Sequence, residues 1–274
     1  RESQLPDFAT VDRETLQRLA AAARLLIGEA NECLAVARIL AGNGFNLPLS
    51  KLILAGGDFS LIPSRFEPCG LVDYEASLVG NVVIDTVMEN QDRANGSKIL
   101  AELGLTAKKY AVVTLHRPSN VDDAKTLGSI LDAFEQIAKD MAIVFPMHPR
   151  TRKNIANMGL GERVESIAGL KTPEPLGYLD FLKLTADSAM VLTDSGGIQE
   201  ETTILGVPCL TLRENTERPV TITEGTNRLC KPESASIMQA YREQRSRGGG
   251  AAKRPALWDG KAAERIAAIF AAMA

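Results

Sequence analysis

The chain contains two histidines, and both sit beside arginine just past a short apolar run. His116 and Arg117 follow "YAVVTL" (Tyr110 to Leu115), and His148, Arg150 and Arg152 follow "AIVFPM" (Ala142 to Met147). Imidazole exchanges protons near neutral pH, and the planar guanidinium of arginine grips phosphate through two N–H groups at once. A third segment, "LTDSGGIQEE" (Leu192 to Glu201), reads as the end of a strand, a Ser195-Gly196-Gly197 turn and the start of a helix. Glycines there let a phosphate approach the backbone, and the unpaired N–H groups of a helix start favour an anion. Glu200 and Glu201 are expected in the first turn of that helix, where a carboxylate can accept hydrogen bonds from the two hydroxyls of a ribose. Helix capping explains one such glutamate equally well, but not the Gly-Gly pair. "LRENTERPVT" adds Arg213, Glu217 and Arg218 after a further strand. Several cations around a Gly-rich turn describe a diphosphate pocket.

The elements that must position these residues alternate regularly from about Gly80 onward. "VVIDTVMEN" runs on into "SKILAELGL" with helical spacing, and "TLGSILDAFEQIAKD" has apolar residues three and four apart. Helices are also expected at "RTRKNIANMG", "GYLDFLKLTADS", "GGIQEETTILG" and "GKAAERIAAIFAAMA", and strands at "MVLTDS" and "PCLTL". Strands alternating with helices imply an α/β fold, a Rossmann-like doubly wound parallel sheet covered on both faces. In such sheets ligands bind beyond the carboxyl ends of the strands, which is where His116, His148 and Ser195 fall. Residues 1–79 are less regular. They offer one long or broken helix in "ETLQRLAAAARLLIGEANECLAVARIL" and a strand in "KLILAGG", too little for a second complete doubly wound domain. The expected division is therefore an atypical segment, 1–79, and a Rossmann-like domain, 80–274. "SRGGGAAKRPA" (Ser246 to Ala256) reads as a flexible basic loop, Trp258 as a packing residue, and Glu135 and Lys139 as a solvated helix face.

Bulk properties narrow the function classes. At 274 residues, with 45% hydrophobic and 24% charged, the chain can bury a substantial core. Its net charge of −3 argues against a nucleic-acid partner while leaving room for one local basic pocket. Cys33, Cys69, Cys209 and Cys230 lack CxxC spacing, so neither a metal site nor a disulfide framework is expected, and Cys209 in "VPCLTL" reads as a core residue. No cofactor is called for. No apolar run reaches the roughly 18 residues of a membrane span, and "RESQLPDF" does not read as a signal peptide, so a cytoplasmic protein is expected. The sequence opens on Arg1 rather than methionine, as a fragment would.

"VTLHRPSNVDD", "VFPMHPRTRKNI", "EPLGYLDFLKL", "LTDSGGIQEETTILGVPCLTLRENTERPVTITEGTNRL" and "DGKAAERI" together resemble the C-terminal half of non-hydrolysing UDP-N-acetylglucosamine 2-epimerases, from about Gly80 to the end. That resemblance implies a glycosyltransferase-B-type fold of two Rossmann-like domains with a nucleotide-sugar in the cleft, and a possible homodimer. It implies that Ser195, Gly196 and Gly197 hold the diphosphate and Glu201 the ribose. By the same resemblance His148 and Arg213 line the UDP site, Phe181 lies against uracil, and His116 of the His-Arg motif, with Arg117, faces the reacting sugar. The reaction implied inverts C2 by eliminating UDP to leave a 2-acetamidoglucal and adding it back on the other face. Family members draw most of the carboxylates at C2 from an N-terminal domain opening with a "GTRPE"-type loop, which is not in this sequence. "SLIPSRFEPCGLVDYEA" instead resembles glycogen and starch synthases, with Glu67 and Glu75 at the E-x7-E spacing those enzymes use for donor sugar and ribose. Two such segments in one chain suggest a hybrid. The alternatives to an epimerase are then a retaining nucleotide-sugar glycosyltransferase, or a non-catalytic hybrid that keeps at most UDP binding.

Overall fold

The computed structural model describes residues 80–246, 253–265 and 268, and contacts group residues 69–265 into one compact unit. Within the described residues six strands form one sheet: β1 (Tyr110–Thr114), β2 (Ala142–Val144), β3 (Leu170–Lys171), β4 (Met190–Thr193), β5 (Cys209–Leu212) and β6 (Asn227–Cys230). Their order is β3-β2-β1-β4-β5-β6, and every neighbouring pair is parallel. This is the doubly wound order. The chain starts in the middle at β1, works outward to β3, returns to lay β4 against the other side of β1, and then works outward to β6. The two halves diverge between β1 and β4, which opens a crevice at their carboxyl ends.

The strands are apolar on both faces because both faces are covered. Along β1, Ala111 and Val113 point into one core cluster and Tyr110 and Val112 into the other. Helices α4 (Ala124–Ile137), α5 (Pro149–Asn157), α6 (Gly161–Ser166) and α10 (Ser234–Ser246) close over the first face. In α4, Leu127, Ile130, Leu131, Phe134 and Ile137 recur three and four apart and are all fully buried, with Phe134 edge-on to Phe145 at 6.1 Å. Helices α2 (Ile99–Glu102), α7 (Tyr178–Ala186) and α8 (Gly196–Leu205) cover the second face, and α1 (Val82–Asn95) packs on α7 and α8. The short helices α3 (Pro118–Val121) and α9 (Pro219–Thr223) lie in the connections that follow β1 and β5.

The structure revises several sequence expectations. The helical run after residue 82 is two helices, α1 and α2, separated at Gly96 to Lys98, where the Ser97 hydroxyl accepts from the Ile99 N–H. β3, β6, α3, α6, α9 and α10 are additional elements. Glu135 is an ion-pair partner of Arg163 at 2.8 Å rather than a merely solvated acid. Trp258, Cys209 and Cys230 are buried. The elements expected in residues 1–79, the middle of the basic loop and most of the last helix lie outside the described residues. No described helix is long and apolar enough to cross a membrane.

Candidate functional site at the carboxyl ends of β1 and β4

The crevice is closed at its floor by paired strand ends. Thr114 and Thr193 lie side by side in the β1–β4 register, their hydroxyl oxygens 2.6 Å apart. The next residue, Asp194, is fully buried, and its N–H donates to the Thr114 carbonyl at 3.2 Å. Its carboxylate accepts the backbone N–H of His116 at 3.1 and 3.2 Å, the N–H of Arg117 at 2.9 Å and Asn120 Nδ2 at 3.1 Å. His116 Nδ1 is 3.0 Å from Asp194 Oδ1, while its side chain is 48% exposed. With these donors the buried carboxylate ties down the loop after β1.

His148 reaches the same rim from α5, where it is the N-cap: its Nδ1 accepts from the Arg150 N–H at 3.2 Å. The two imidazoles lie 6.5 Å apart, centroid to centroid. The expectation that both histidines share one rim therefore holds.

The phosphate-type turn sits at the start of α8. Ser195 is the N-cap, and its own N–H donates to Thr193 Oγ1 at 3.0 Å. Gly196 and Gly197 are the first helical residues and do not adopt the left-handed conformation that favours glycine. Among the described residues, a Cβ on Gly197 would meet no other atom within 4 Å, and one on Gly196 would face the Arg218 guanidinium at 3.6 Å. Open space, not backbone conformation, is what these glycines provide. Gly206 is different: it ends α8 at φ 67°, a conformation that an L side chain rarely adopts.

The two glutamates lie in the second turn of α8, not the first, because the helix begins at Gly196. One residue is about 100° of helix, so adjacent acids face different surroundings. Glu200 is buried, accepts from Asn81 Nδ2 at 2.8 Å and pairs with Arg218 Nε at 3.1 Å. Glu201 Oε2 is buried and finds no hydrogen-bond partner among the described residues, and burial pushes its carboxyl up to about 7. The exposed Tyr178 on α7 is near enough that the Glu201 charge adds to the burial that raises its phenol. Phe181, one turn further along α7, is partly buried against the second core cluster.

The rim arginines Arg117, Arg150, Arg152, Arg213 and Arg218 each have a carboxylate within ion-pair distance. Arg213, 9% exposed, donates both Nη atoms to Glu217 at 2.7 Å, and that fork holds the Glu217 carboxyl down to about 2. Glu217 also lies 3.6 Å from Arg117, whose Nε donates to the Asp194 carbonyl at 2.9 Å. Arg150 pairs with Asp122, and Arg152 with Glu174 at 3.1 Å. Arg213 is thus turned toward Glu217, and the guanidinium beside the glycine turn is that of Arg218. Sequence reading named Arg218 only as part of the rim and did not single out Asp194. An acid between a strand end and a glycine turn was the available signal for Asp194.

The strand order and the β1–β4 crevice place this unit in the Rossmann-like, glycosyltransferase-B-type class of doubly wound α/β proteins. Residues 70–271 match the family model described as UDP-N-acetylglucosamine 2-epimerase, and the chain belongs to that family, the one its motifs resemble. Among curated relatives, a UDP-N-acetylglucosamine 2-epimerase of Methanococcus maripaludis is 38% identical over 174 residues, 62% of this chain and 48% of the relative. A UDP-2,3-diacetamido-2,3-dideoxy-D-glucuronate 2-epimerase of Pseudomonas aeruginosa is 37% identical over 166 residues, 60% of this chain and 44% of the relative. Among solved structures, the Methanocaldococcus jannaschii UDP-GlcNAc 2-epimerase in complex with UDP-GlcNAc and UDP superposes with a TM-score of 0.66 at 33% identity, covering 76% of this chain and 60% of that one. The chain spans about half the length of the curated relatives it matches. Glu67 and Glu75, which carry the second resemblance, lie outside the described residues.

Proposed function

We propose that residues 80–274 form the UDP-binding part of an epimerase that interconverts UDP-GlcNAc and UDP-ManNAc. The observation that carries this reading is Glu201: a buried carboxylate oxygen unpaired among the described residues, one and a half turns along a helix whose first residues leave open space. A ribose supplies two hydroxyl donors to such an oxygen, and a diphosphate fits the space and the N–H groups ahead of it. In this reading Ser195, Gly196 and Gly197 take the diphosphate with Arg218 beside them, and Glu201 takes the ribose. Phe181 lies against uracil, His148 offers an imidazole N–H, and Arg213 acts through Glu217. His116 and Arg117 face the sugar.

The chemistry follows from the leaving group. A base takes the C2 proton, the C–H electron pair becomes the C1=C2 double bond, and the C1–O bond breaks with its electrons going to UDP. Reversal delivers a proton to the opposite face of C2 as the UDP oxygen reattacks C1. Cations and N–H dipoles around the diphosphate stabilise the charge that develops there. The relatives act on sugars with different substituents while sharing this half, which supports assigning it to UDP rather than to the sugar.

Calorimetry with UDP and incubation with UDP-GlcNAc in D2O, read by mass spectrometry, test the proposal together. UDP binding with uptake of one deuterium at C2 is expected. No binding at millimolar UDP overturns the nucleotide assignment. Binding without deuterium uptake, or glucose transfer from UDP-glucose, overturns the epimerase assignment.

A further inference from the structure

We infer that Asp194 is a positioning residue that holds His116 in the tautomer with its proton on Nδ1, leaving Nε2 as the atom that exchanges a proton with the substrate, while His148 is held in the opposite tautomer with Nε2–H as a donor. The catalytic half of this inference rests on the reading that His116 faces the sugar; the tautomers rest on geometry alone. Asp194 is fully buried, and Asn120 and the backbone N–H groups of His116 and Arg117 hold its carboxylate in place. Asp194 Oδ1 lies 3.0 Å from His116 Nδ1, and a carboxylate oxygen this close repels a ring lone pair, which favours the tautomer with its proton on that nitrogen. A neutral His116 then carries its lone pair on Nε2. His148 Nδ1 faces a backbone N–H, a group that only donates, at 3.2 Å. A neutral His148 therefore keeps its proton on Nε2. Two imidazoles 6.5 Å apart are thereby given different work by what lies behind them: one presents an acceptor that can take up and return a proton, the other a donor suited to an anionic oxygen.

The acceptor arrangement makes Asp194→Asn a sharp perturbation. Oδ2 receives the Arg117 N–H and Asn120 Nδ2, Oδ1 lies against the imidazole, and the His116 N–H is shared between the two oxygens. The amide oxygen of asparagine is needed most at the Oδ2 position. Its NH2 then points at His116 Nδ1, which must accept, driving the proton to Nε2. The fold keeps its shape and the imidazole presents the wrong atom.

The chain has only two histidines, so an untagged protein labelled with 15N-histidine gives two resolvable rings in long-range 1H–15N spectra. At pH about 8, where an ordinary imidazole is neutral, His116 is expected to show a protonated Nδ1 and His148 a protonated Nε2, with His148→Gln supplying the assignment. In Asp194→Asn the His116 pattern should invert and that of His148 should not. Turnover of UDP-GlcNAc should fall on the order of 10³-fold in kcat with KM changed less than about threefold. A protonated Nε2 on wild-type His116, or an unchanged tautomer in Asp194→Asn, overturns the inference. Inversion with kcat intact refutes the catalytic half. Should Asp194→Asn not fold, the wild-type spectrum alone decides. If wild-type protein does not turn over UDP-GlcNAc, the functional proposal fails while the spectra still judge the tautomers.

Discussion

Replacing Glu201 with glutamine should move stability and ligand affinity in opposite directions. The carboxyl is buried, one oxygen has no partner among the described residues, and burial pushes it up to about 7. The folded chain then holds this proton more tightly than the unfolded chain, whose glutamate titrates near ~4.3. Stability from this group is full below that value and is lost as pH rises through about 7, since protons bound in the folded state exceed those bound in the unfolded state across the window. At ~1.4 kcal/mol for each tenfold change, the rise from 4.5 to about 7 corresponds to roughly 3.5 kcal/mol, reduced to about 2 kcal/mol because the residue is only partly buried and water screens it. Glutamine has the same shape and does not ionise. Glu201→Gln should match the parent at pH 4.5 and exceed its unfolding free energy by about 2 kcal/mol at pH 8. Its UDP affinity should fall by about 1.5–3 kcal/mol, because one acceptor for the ribose is lost and a donor faces a donor. Urea unfolding at steps between pH 4.5 and 8, with calorimetry at pH 7.5, reads both quantities. A stability difference that does not change with pH refutes the burial argument, and an unchanged UDP affinity refutes the ribose assignment.

The neighbouring groups give further tests. Gly197→Ala should leave the ligand-free protein as stable or up to ~1 kcal/mol more stable, since its backbone is ordinary and a Cβ meets open space; Gly197→Val should block UDP in calorimetry, and equal UDP affinity in all three proteins would make the turn merely structural. Ser195→Ala should weaken UDP by about 1.5–3 kcal/mol if its hydroxyl meets a charged oxygen, and an unchanged titration contradicts that contact. Glu217→Gln should cost about 2 kcal/mol at neutral pH by half-stranding the buried Arg213. Because the Glu217 carboxyl is held down to about 2, that cost should be full above its ordinary 4.5 and vanish as pH falls toward 2, which acid unfolding of parent and variant would show. His116→Asn should lower epimerase turnover by about 10²-fold or more while changing UDP affinity by less than ~1 kcal/mol; lost UDP binding with turnover intact at saturation would move His116 into the nucleotide pocket.

Which parts of this architecture could be read in the sequence follows from the range of the interactions involved. β1, β4 and α4 announce themselves because burial on both faces demands continuous apolar runs and helix packing demands three-four spacing. β3 has two residues, β6 reads "NRLC", and α10 mixes serine, glutamine and arginine into its exposed face, so each becomes regular only by pairing or packing with an element distant in sequence. The glycine turn and the histidines were legible because each lies within four residues of a strand end. The bond from Asp194 to His116 spans 78 positions and exists only because β1 and β4 are neighbours, a fact of strand order that no local pattern carries. Arg213 was misleading by type. Its spacing from Glu217, four residues, was visible and is the spacing that closes the pair.

Pairing every rim cation with an acid changes how an anion can be held here. An unpaired guanidinium at the crevice would attract a diphosphate strongly but would also leave a buried charge exposed to a desolvation cost whenever the site is empty. In this chain Glu217 serves Arg213 and Arg117, Glu200 serves Arg218, and Asp194 serves His116. Among the described residues, the groups that the proposed reading leaves for a ligand are the N–H groups at the start of α8, the open space at Gly197 and the Glu201 oxygen without a partner. A site built this way gains selectivity from geometry more than from net charge. A phosphate alone satisfies the helix start but not Glu201, and a nucleoside alone satisfies Glu201 but not the helix start. On the proposed reading, a ligand carrying a ribose at a fixed distance from a diphosphate answers both, and the buried acid that weakens the empty protein is what selects a nucleoside diphosphate over smaller anions.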